Sequence, residues 1–419
     1  MKNLAALLFL SCLAAASTLG ADEGQAPKAT DDSLETPTEA ELAGAVEEAV
    51  AYLLERQEKY EPDPPVGRLP DDELEAWQQR EHERLAGLRA KAGAGQEWPY
   101  EGVYRVRPGG RIPPGYRVGG TAIVCLALLE APGWADADER RAAVRRGTQF
   151  IIERIEEDPG MAPGPKQGYD VRGWGHVYAL RFFLRGLDIG AFEGELRQHV
   201  EDSVPHLVHC VEVNEEPSGG WNYAGGRTSP FMTASTLIAL FHANARGYEV
   251  DAEIVERALD ALEQGRTSVG SFAYAGAATR EVAMPGSAAR SAAAELCLFR
   301  AGRSDEERLR TAVTGFFEGW DALLERKSQQ GTHEGPYGIA PYYFFYGHTY
   351  AALASAHLDS QTKSVDREQL LALLWRTRAG DGGWNDRIFP RTSSYSTAMV
   401  LLALLAPDLP EVEAWPNKG

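Results

Sequence analysis

Two kinds of helical pattern alternate along this chain of 419 residues. In the first kind, apolar residues recur every three or four positions among charged ones, as Leu42, Val46, Ala49 and Leu53 do within residues 41–57. In the second kind, apolar and small residues fill every face, as in residues 394–405, which contain no charged residue. The first pattern indicates a helix with one buried side, and the second indicates a helix that is buried all round. We therefore expect amphipathic helices outside and apolar helices inside.

The two kinds of helix pair into six predicted hairpins. In each pair an amphipathic segment is followed by a loop rich in glycine, proline and aromatic residues and then by an apolar segment. The pairs are residues 41–57 with 119–129, 138–157 with 174–187, 193–213 with 233–245, 251–264 with 287–300, 305–327 with 346–357, and 366–378 with 394–405. No alternating pattern predicts a β-strand. The expected fold is all-α, an α/α toroid with the second helix of each hairpin in the inner ring.

Short repeats support the same arrangement. Gly-Gly-Trp-Asn occurs before the apolar helices of the third and sixth hairpins and ends at Asn222 and Asn385. The second and fifth hairpins share Gly-His-x-Tyr-Ala, which contains His176 in one copy and His348 in the other. Because both repeats recur three hairpins apart, equivalent residues should face each other across the axis of a six-fold ring.

The ends of the chain suggest processing and export. Lys2, an apolar run and small residues up to Ala21 are typical of a secretory signal peptide at residues 1–21, so we expect a periplasmic or extracellular protein. Lipidation at Cys12 is an open alternative. Residues 22–38 are predicted to be disordered, 39–406 to form the toroid with an insertion at about 58–115, and 407–419 to form a tail.

Charge and apolarity restrict the partners. The chain has 61 acidic and 42 basic residues, a net charge of −19, which repels nucleic acids and anionic membranes. No segment after the signal is apolar for long enough to span a membrane. A small-molecule or glycan ligand, expected to be anionic, is the remaining class of partner, and no cofactor is predicted.

The Gly-Gly-Trp turns resemble those of the prenyltransferase and squalene-oxidase repeat superfamily, the α/α toroids that include terpenoid cyclases and protein prenyltransferases. Asp381-Gly382-Gly383-Trp384 matches the motif, and Ser218-Gly219-Gly220-Trp221 matches it with Ser for Asp. The resemblance implies the fold, but the catalytic signatures of the superfamily are missing. Its acidic Asp-x-Asp-Asp motif has only a distant counterpart at residues 136–139, where helix capping is expected.

The zinc signature of the protein prenyltransferases is also out of register. Glu295, Cys297 and His348 imitate its ligands, but the Glu-x-Cys pair lies two residues late, which turns it away from a metal. No metal site is therefore predicted.

The mouth formed by the N-termini of the inner helices is the predicted site. Its candidate catalytic residues are His348, His176 and Tyr395. Its candidate ligand-binding residues are Arg172, Trp174, Trp221, Asn222, Arg227, Trp384, Asn385 and Arg391. Further residues placed around the mouth are Trp98, Tyr116, Asp170, Tyr223, Phe272, Tyr274, Arg280, Tyr337, Tyr342, Tyr343 and Arg387. Packing between layers is the structural alternative for the tryptophans, and a hydrogen-bonded core position is the alternative for the histidines.

Three function classes stay open. A non-catalytic ligand-binding or scaffold toroid fits the missing signatures. A glycan-active enzyme, such as a polysaccharide lyase on anionic glycans, fits export and aromatic residues, with His or Tyr moving protons. A divergent terpenoid cyclase or prenyltransferase is the third.

Overall fold

The computed structural model describes residues 35–61, 71–91, 95–102, 111–164, 171–223 and 225–416. These ranges contain helices and isolated β-bridges but no β-strand, which confirms the predicted all-α class. None of the described helices has the length and apolarity that a membrane crossing requires. The predicted signal peptide and residues 22–34 of the predicted disordered segment lie outside the described residues.

The six predicted pairs follow one another in the expected order, and the charged residues 71–91 of the insertion form the helix that their pattern predicts. In chain order they are α1 (Glu39–Glu55), α2 (Asp71–Lys91), α3 (Pro114–Glu130), α4 (Asp138–Glu157), α5 (Arg172–Asp188), α6 (Gly194–Val213), α7 (Pro230–Ala245), α8 (Ala252–Gly265), α9 (Met284–Arg300), α10 (Glu306–Glu318), α11 (Trp320–Arg326), α12 (Phe344–Ser355), α13 (Ser360–Arg376) and α14 (Thr392–Leu405). The helices α3, α5, α7, α9, α12 and α14 are buried along almost their whole length.

These six apolar helices form a closed inner ring. Each packs against the next one in the chain, and α14 returns to pack against α3. The amphipathic helices lie outside them: α1 contacts α14, α4 contacts α3, α6 contacts α5, α8 contacts α7 and α9, α10 contacts α9 and α12, and α13 contacts α12. The predicted α/α toroid of six hairpins is confirmed.

The loops before three of the inner helices, α3, α7 and α14, are each fastened by the same pair of hydrogen bonds. The backbone N–H of Trp98, Trp221 and Trp384 donates to the hydroxyl of Thr121, Thr233 and Thr397, at 2.9, 2.9 and 3.0 Å respectively. The indole N–H of the same tryptophans donates to the carbonyls of Leu53, Val211 and Leu374 in the preceding outer helices, at 2.6, 2.8 and 3.0 Å. Each tryptophan thus joins an outer helix to an inner one.

Several helix boundaries differ from the prediction. Helix α3 begins at Pro114, five residues before the predicted start, because proline suits the first turn of a helix. Helix α13 begins six residues early, where Asp359 caps it by accepting hydrogen bonds from the next turn. The fifth outer helix is divided at Gly319, where a Cβ would lie 2.6 Å from the Cβ of Ala288 on the inner ring.

Helix α2 of the insertion packs on the loop before α14. The ring of Trp77 meets Phe389 edge to face with centroids 5.7 Å apart, and the Gln78 side-chain amide donates to the carbonyl of Ile388 at 2.7 Å. The insertion therefore joins the first hairpin to the sixth on the mouth side of the ring.

Candidate ligand-binding site at the mouth of the ring

The N-termini of the inner helices surround a narrow pocket that is lined by aromatic side chains. Among the described residues, its lining consists of Tyr100, Tyr116, Trp174, Tyr223, Phe231, Tyr342 and Tyr395. The free volume is about 20 Å³, which is room for about one water molecule. We call this the central pocket. In this conformation a ligand larger than water has to bind above it, on the rim.

Of the residues predicted around the mouth, five line the central pocket: Tyr116, Trp174, Tyr223, Tyr342 and Tyr395. Tyr395 packs on Tyr100 with ring centroids 4.4 Å apart, and Trp174 packs on Tyr116 at 5.2 Å. Burial, followed by the neighbouring Tyr100, raises the pKa of Tyr395 well above its ordinary value. The Tyr395 hydroxyl therefore stays protonated at neutral pH.

A histidine and three tyrosines form a hydrogen-bonded network beside the central pocket. His333 Nδ1 lies 3.2 Å from the carbonyl oxygen of Gly338, so Nδ1 must carry the proton. Its Nε2 is then an acceptor for the hydroxyls of Tyr274 and Tyr342, each at 3.2 Å. Tyr223 extends the network through close hydroxyl contacts with Tyr274 and Tyr342. The four side chains fix one another.

The electrostatics of this network favour a neutral imidazole. His333 is an exposed residue, and its ring contacts Tyr274, Tyr342 and Tyr343. Burial of the ring lowers the pKa of His333, and the nearby positive charge of Arg290 lowers it further. Neutral His333 can accept a proton or a hydrogen bond near pH 7.

Arg290 is the buried support beneath this part of the mouth. Its Nε and Nη2 donate to the carbonyl oxygen of Phe272 at 3.2 and 2.7 Å, and its Nη1 donates to that of Gly286 at 2.6 Å. The guanidinium carbon lies 5.9 Å from the ring centroid of Tyr274. Arg290 therefore holds the loop that carries Tyr274.

The histidines predicted as catalytic candidates contact the outer ring instead of the central pocket. His348 Nδ1 lies 2.8 Å from the carbonyl oxygen of Phe344, and its Nε2 accepts the indole N–H of Trp320 in α11 at 2.9 Å. Burial lowers the pKa of His348 to about 4. His176 bonds to the carbonyl of Met161 at 2.8 Å and to Asn214 at 3.2 Å. Both rings are completely buried, which favours their structural interpretation.

The Gly-Gly-Trp-Asn residues also have structural positions. Trp221 and Trp384 are 2% and 1% exposed, so neither presents a free ring face to the mouth. Asn385 closes the loop before α14 by donating to the carbonyl of Phe389 at 3.0 Å, and Asn222 donates to the carbonyl of Arg227 in the equivalent loop.

The three predicted ligand-binding arginines have different surroundings. Arg391 is buried and donates to Glu58 from Nε at 2.9 Å and from Nη2 at 2.6 Å. Arg172 is buried and donates to the carbonyl of Ala162. Arg227 is exposed, and its side chain has no ion pair within the described part of the chain. Of the three, Arg227 is the one that the structure places in contact with solvent. The predicted mouth residue Asp170 lies outside the described residues.

Sequence reasoning missed His333, Arg290 and Asp386. His333 lies in a glycine-rich loop at a left-handed φ of 57°, which no helix periodicity could reveal. Asp386 is completely buried, and no hydrogen-bond donor reaches its carboxyl oxygens within the described residues. Burial raises the pKa of Asp386 to about 7, although the positive charge of Arg387 acts to lower it. The one feature of the sequence that pointed to Asp386 was its place two residues after the second Gly-Gly-Trp turn.

The residues that imitate a zinc site are engaged elsewhere. Glu295 accepts hydrogen bonds from Arg266 at 3.0 and 2.7 Å, and Cys297 donates to the carbonyl of Ala234 at 3.2 Å. Burial raises the pKa of the Cys297 thiol far above its ordinary value. These contacts account for both side chains without a metal.

Comparison of the sequence with protein-family models and with curated proteins finds no match. Solved structures do resemble the fold. The GH76A α-1,6-mannanase of a Salegentibacter species is 10% identical, covers 88% of this chain and 99% of its own, and superposes with a TM-score of 0.50. An inactive variant of this mannanase in complex with α-1,6-mannotriose gives 10% identity, coverage of 87% and 99%, and a TM-score of 0.51.

A type II terpene cyclase from Scytonema, in complex with geranylgeranyl dihydroxybenzoate, is 14% identical, covers 87% of this chain and 97% of its own, and has a TM-score of 0.46. At these identities the similarity concerns the fold alone. The mannanase shares the architecture, so the comparison supports the toroid fold without assigning the chain to the prenyltransferase and squalene-cyclase group. By its own helices and by its similarity to the mannanase structures, the chain is an α/α toroid.

Proposed function

We propose that the protein is an exported, non-catalytic toroid that binds an acidic saccharide on the rim formed by Tyr274, His333 and Tyr337. A sugar ring has an apolar face and a polar edge, so it suits a flat aromatic surface with hydrogen-bonding groups beside it. The observation that carries the proposal is that Tyr274 is exposed to solvent and yet held in place by hydrogen bonds. This residue is 39% exposed, while its hydroxyl is held by contacts with Tyr223 and His333.

The exposure of aromatic residues supports this position. Among the described residues, five large hydrophobic side chains are exposed, and the two aromatic ones are Tyr274 and Tyr337. Tyr337 is 44% exposed, and its backbone carbonyl lies over Gly286, at the N-terminus of α9. Exposed apolar side chains that cluster mark ligand surfaces more often than isolated ones do, so two exposed tyrosines on one rim favour a ligand surface.

The charge of the neighbouring loop favours an acidic ligand. A Cβ at Gly276 would lie 3.3 Å from Cδ of Arg227, so this exposed arginine packs against the loop that carries Tyr274. Arg280 on the same loop is also exposed. In a chain with a net charge of −19, these two exposed arginines offer cationic contacts beside the rim, where Glu281 and Glu334 are also exposed.

The lining of the central pocket supports binding without turnover. A glycosidase needs two carboxyl groups on opposite sides of the scissile bond. The described lining of the central pocket is entirely aromatic, and Asp386 is completely buried. The pocket is also too small for an isoprenoid substrate, since ligand pockets commonly measure some 300 Å³ or more.

A lyase is the second candidate, and the His333 network favours it. A neutral imidazole that accepts hydrogen bonds from two tyrosines could remove a proton next to a uronate carboxylate, with Tyr274 returning a proton to the leaving oxygen. A catalytic role would require these groups to contact the sugar.

Two measurements on the wild-type protein distinguish the candidates. A glycan array that contains neutral and uronate saccharides should show retention of acidic saccharides that weakens as salt is added, because exposed arginines are screened by ions. Incubation with the retained glycan should produce no ultraviolet absorbance from unsaturated uronates. Time-dependent absorbance would replace the binding proposal with the lyase, and an array without any retained glycan would refute both.

A further inference from the structure

A separate cleft lies where helix α2 of the insertion meets the first and sixth hairpins. It is bounded by α2, by the end of α1, and by the Gly-Gly-Trp turn and loop that precede α14. Its volume is about 110 Å³, which is room for several water molecules or for a small polyatomic ion. Its described lining shares no residue with the central pocket or with the saccharide rim. We call it the insertion cleft.

Two arginines from different helices line the insertion cleft. Arg56 follows the last residue of α1 and Arg89 lies in the last turn of α2, and their side chains are 19% and 22% exposed. Burial lowers the pKa of Arg89, and the positive charges of Arg56 and Arg391 lower it further, although Glu58 acts to raise it. Three guanidinium groups therefore lie close together at this cleft.

The hydrogen bonds of the two lining arginines are few and long. Arg89 Nη2 donates to Glu58 at 3.3 Å, and no acceptor in the described part of the chain reaches its Nε. Arg56 donates to the carboxylate of Asp381 at 3.3 Å and to the carbonyl of Tyr52 at 3.4 Å. Since hydrogen bonds between two charged groups are usually about 2.7–2.9 Å long, both guanidiniums are weakly satisfied.

The buried carboxylates beside the cleft are engaged with Arg391. Glu58 Oε2 accepts hydrogen bonds from Nε and Nη2 of Arg391 at 2.9 and 2.6 Å, so Glu58 is shared between Arg391 and Arg89. Glu101 accepts the backbone N–H of Arg391 at 3.1 Å. The short contacts thus belong to Arg391, and the two lining arginines keep the long ones.

The other nearby carboxylates are exposed to solvent. Asp381, the acidic residue of the described lining, is 55% exposed, and Glu55, which lies 3.8 Å from Arg56, is 78% exposed. Ion pairs of exposed carboxylates are worth little, because water and salt screen them. An anion within the cleft can therefore compete with Asp381 for Arg56.

We propose that the insertion cleft binds a tetrahedral oxyanion, as a free phosphate or sulfate ion or as the same group carried on an ester. Each arginine presents a planar fork of N–H groups that matches two oxygens of such an ion. Because Arg56 and Arg89 come from different helices, an ion with oxygens in four directions suits them better than a planar carboxylate does. The site is independent of the saccharide rim.

Calorimetric titration with inorganic phosphate in a dilute chloride buffer tests the site. The wild type should bind phosphate saturably, and sulfate should compete with it. Arg56→Gln and Arg89→Gln should each weaken phosphate binding at least about tenfold, because each removes a charged fork. Arg80→Gln is the matched control, since Arg80 is an exposed arginine of the same helix outside the described lining, and it should bind phosphate nearly as the wild type does.

Asp381→Asn tests the competition inside the cleft. Asparagine keeps an oxygen that can accept the backbone N–H of Gly383, now 3.3 Å from the Asp381 carboxylate, but it removes the negative charge. This variant should bind phosphate more tightly than the wild type. Glucose 6-phosphate distinguishes the two forms of the ligand: an ester that binds at least as tightly as phosphate, while glucose does not bind, assigns the cleft to an ester, and binding of phosphate alone assigns it to the free ion.

Tyr274→Ala, on the saccharide rim, should bind phosphate like the wild type, so failure of saccharide binding leaves the phosphate result unaffected. Circular dichroism melting identifies a variant that does not fold, and if Arg89→Gln is one, Arg56→Gln and Asp381→Asn decide. The proposal would be overturned by a wild type that does not bind phosphate saturably or by unchanged phosphate affinity in the folded arginine variants of the cleft. An equal loss in Arg80→Gln, or weaker binding by Asp381→Asn, would contradict it as well.

Discussion

The hydroxyl oxygens of Tyr178 and Tyr350 lie 3.5 Å apart, although 172 positions separate the two residues in the chain. They occupy the same place in the Gly-His-x-Tyr repeat of the second and fifth hairpins. Their contact confirms that equivalent residues three hairpins apart face each other across the axis. The histidines two positions earlier point the other way, because two residues rotate by about 200° around a helix.

The contact at the axis predicts a stabilising role for the Tyr350 hydroxyl. Tyr350→Phe would remove the acceptor of Arg181 and should lower the free energy of unfolding by about 2 kcal/mol, as for a hydrogen bond to a charged group. Urea denaturation measures the change. Tyr248→Phe is the control, because the half-buried Tyr248 has no side-chain hydrogen bond within the described residues. An equal effect of both substitutions would contradict the role of the axial contact.

The tryptophan loops predict a cost for losing the threonine hydroxyl. Thr397→Val keeps the shape of the side chain but removes its hydroxyl. The backbone N–H of Trp384, which lies 3.0 Å from that hydroxyl in the wild type, then loses its acceptor. Stability should fall by about 1–3 kcal/mol, the penalty for a buried donor without a partner. The exposed Thr311→Val is the matched control and should change little. If Thr397→Val melts like the wild type, the hydrogen bond between Trp384 and Thr397 does not contribute to stability.

The buried ion pair of Arg391 and Glu58 predicts that Arg391 stabilises the fold. Both side chains are 1% exposed, so Arg391→Met would leave the buried Glu58 carboxylate with Arg89 alone, at 3.3 Å. We expect a loss of about 3 kcal/mol in a denaturation experiment.

Adding Glu58→Gln to Arg391→Met should recover most of this loss, since the unpaired charge is removed as well. Arg310→Met is the control, because its ion pairs with Glu306 and Asp359 are on the surface and should matter little. A double variant as unstable as Arg391→Met alone would show that the ion pair is not the cause.

These contacts show which parts of the fold the sequence could predict. Helix periodicity and the short repeats suffice for the six hairpins and for the axial pairing, because burial in each layer imposes its own spacing. The side on which His176 and His348 contact their neighbours could not be predicted in the same way. It depends on the rotation of each inner helix, which is set by packing against partners such as Trp320.

The mouth was predictable in part for a similar reason. The N-termini of the inner helices are fixed by topology, so Trp174, Tyr274, Tyr337 and Tyr395 were expected near the mouth. Glu58 lies far from Arg391 in sequence, and their ion pair depends on ring closure. No local pattern could indicate that Arg391 is engaged in an ion pair while Arg227 is exposed to solvent.

The burial of His348 predicts an acid-sensitive contribution to stability. Its pKa is about 4 in the folded state and near 6.5 when unfolded, so the unfolded chain binds more protons between these values. The contribution of neutral His348 to the free energy of unfolding is complete above about pH 6.5. It is lost as the pH falls to about 4, and the total loss is about 3 kcal/mol.

Denaturation at a series of pH values measures this contribution as the difference between the wild type and His348→Gln. The gap in stability should shrink between pH 6.5 and pH 4, since glutamine does not titrate. A gap that is constant over this window would mean that His348 is not kept neutral by burial.

The central claim is that the rim at the mouth binds a saccharide, and calorimetric titration of Tyr274→Ala with the best-retained acidic saccharide tests it most directly. The variant removes the exposed ring but leaves the buried Arg290 and the central pocket in place, and Tyr248→Ala, away from the rim, is the control. Loss of one stacking surface and its fixed hydroxyl should weaken binding at least about tenfold. Tyr248→Ala should keep the wild-type affinity. If Tyr274→Ala binds the saccharide as tightly as the wild type, the rim is not the binding site.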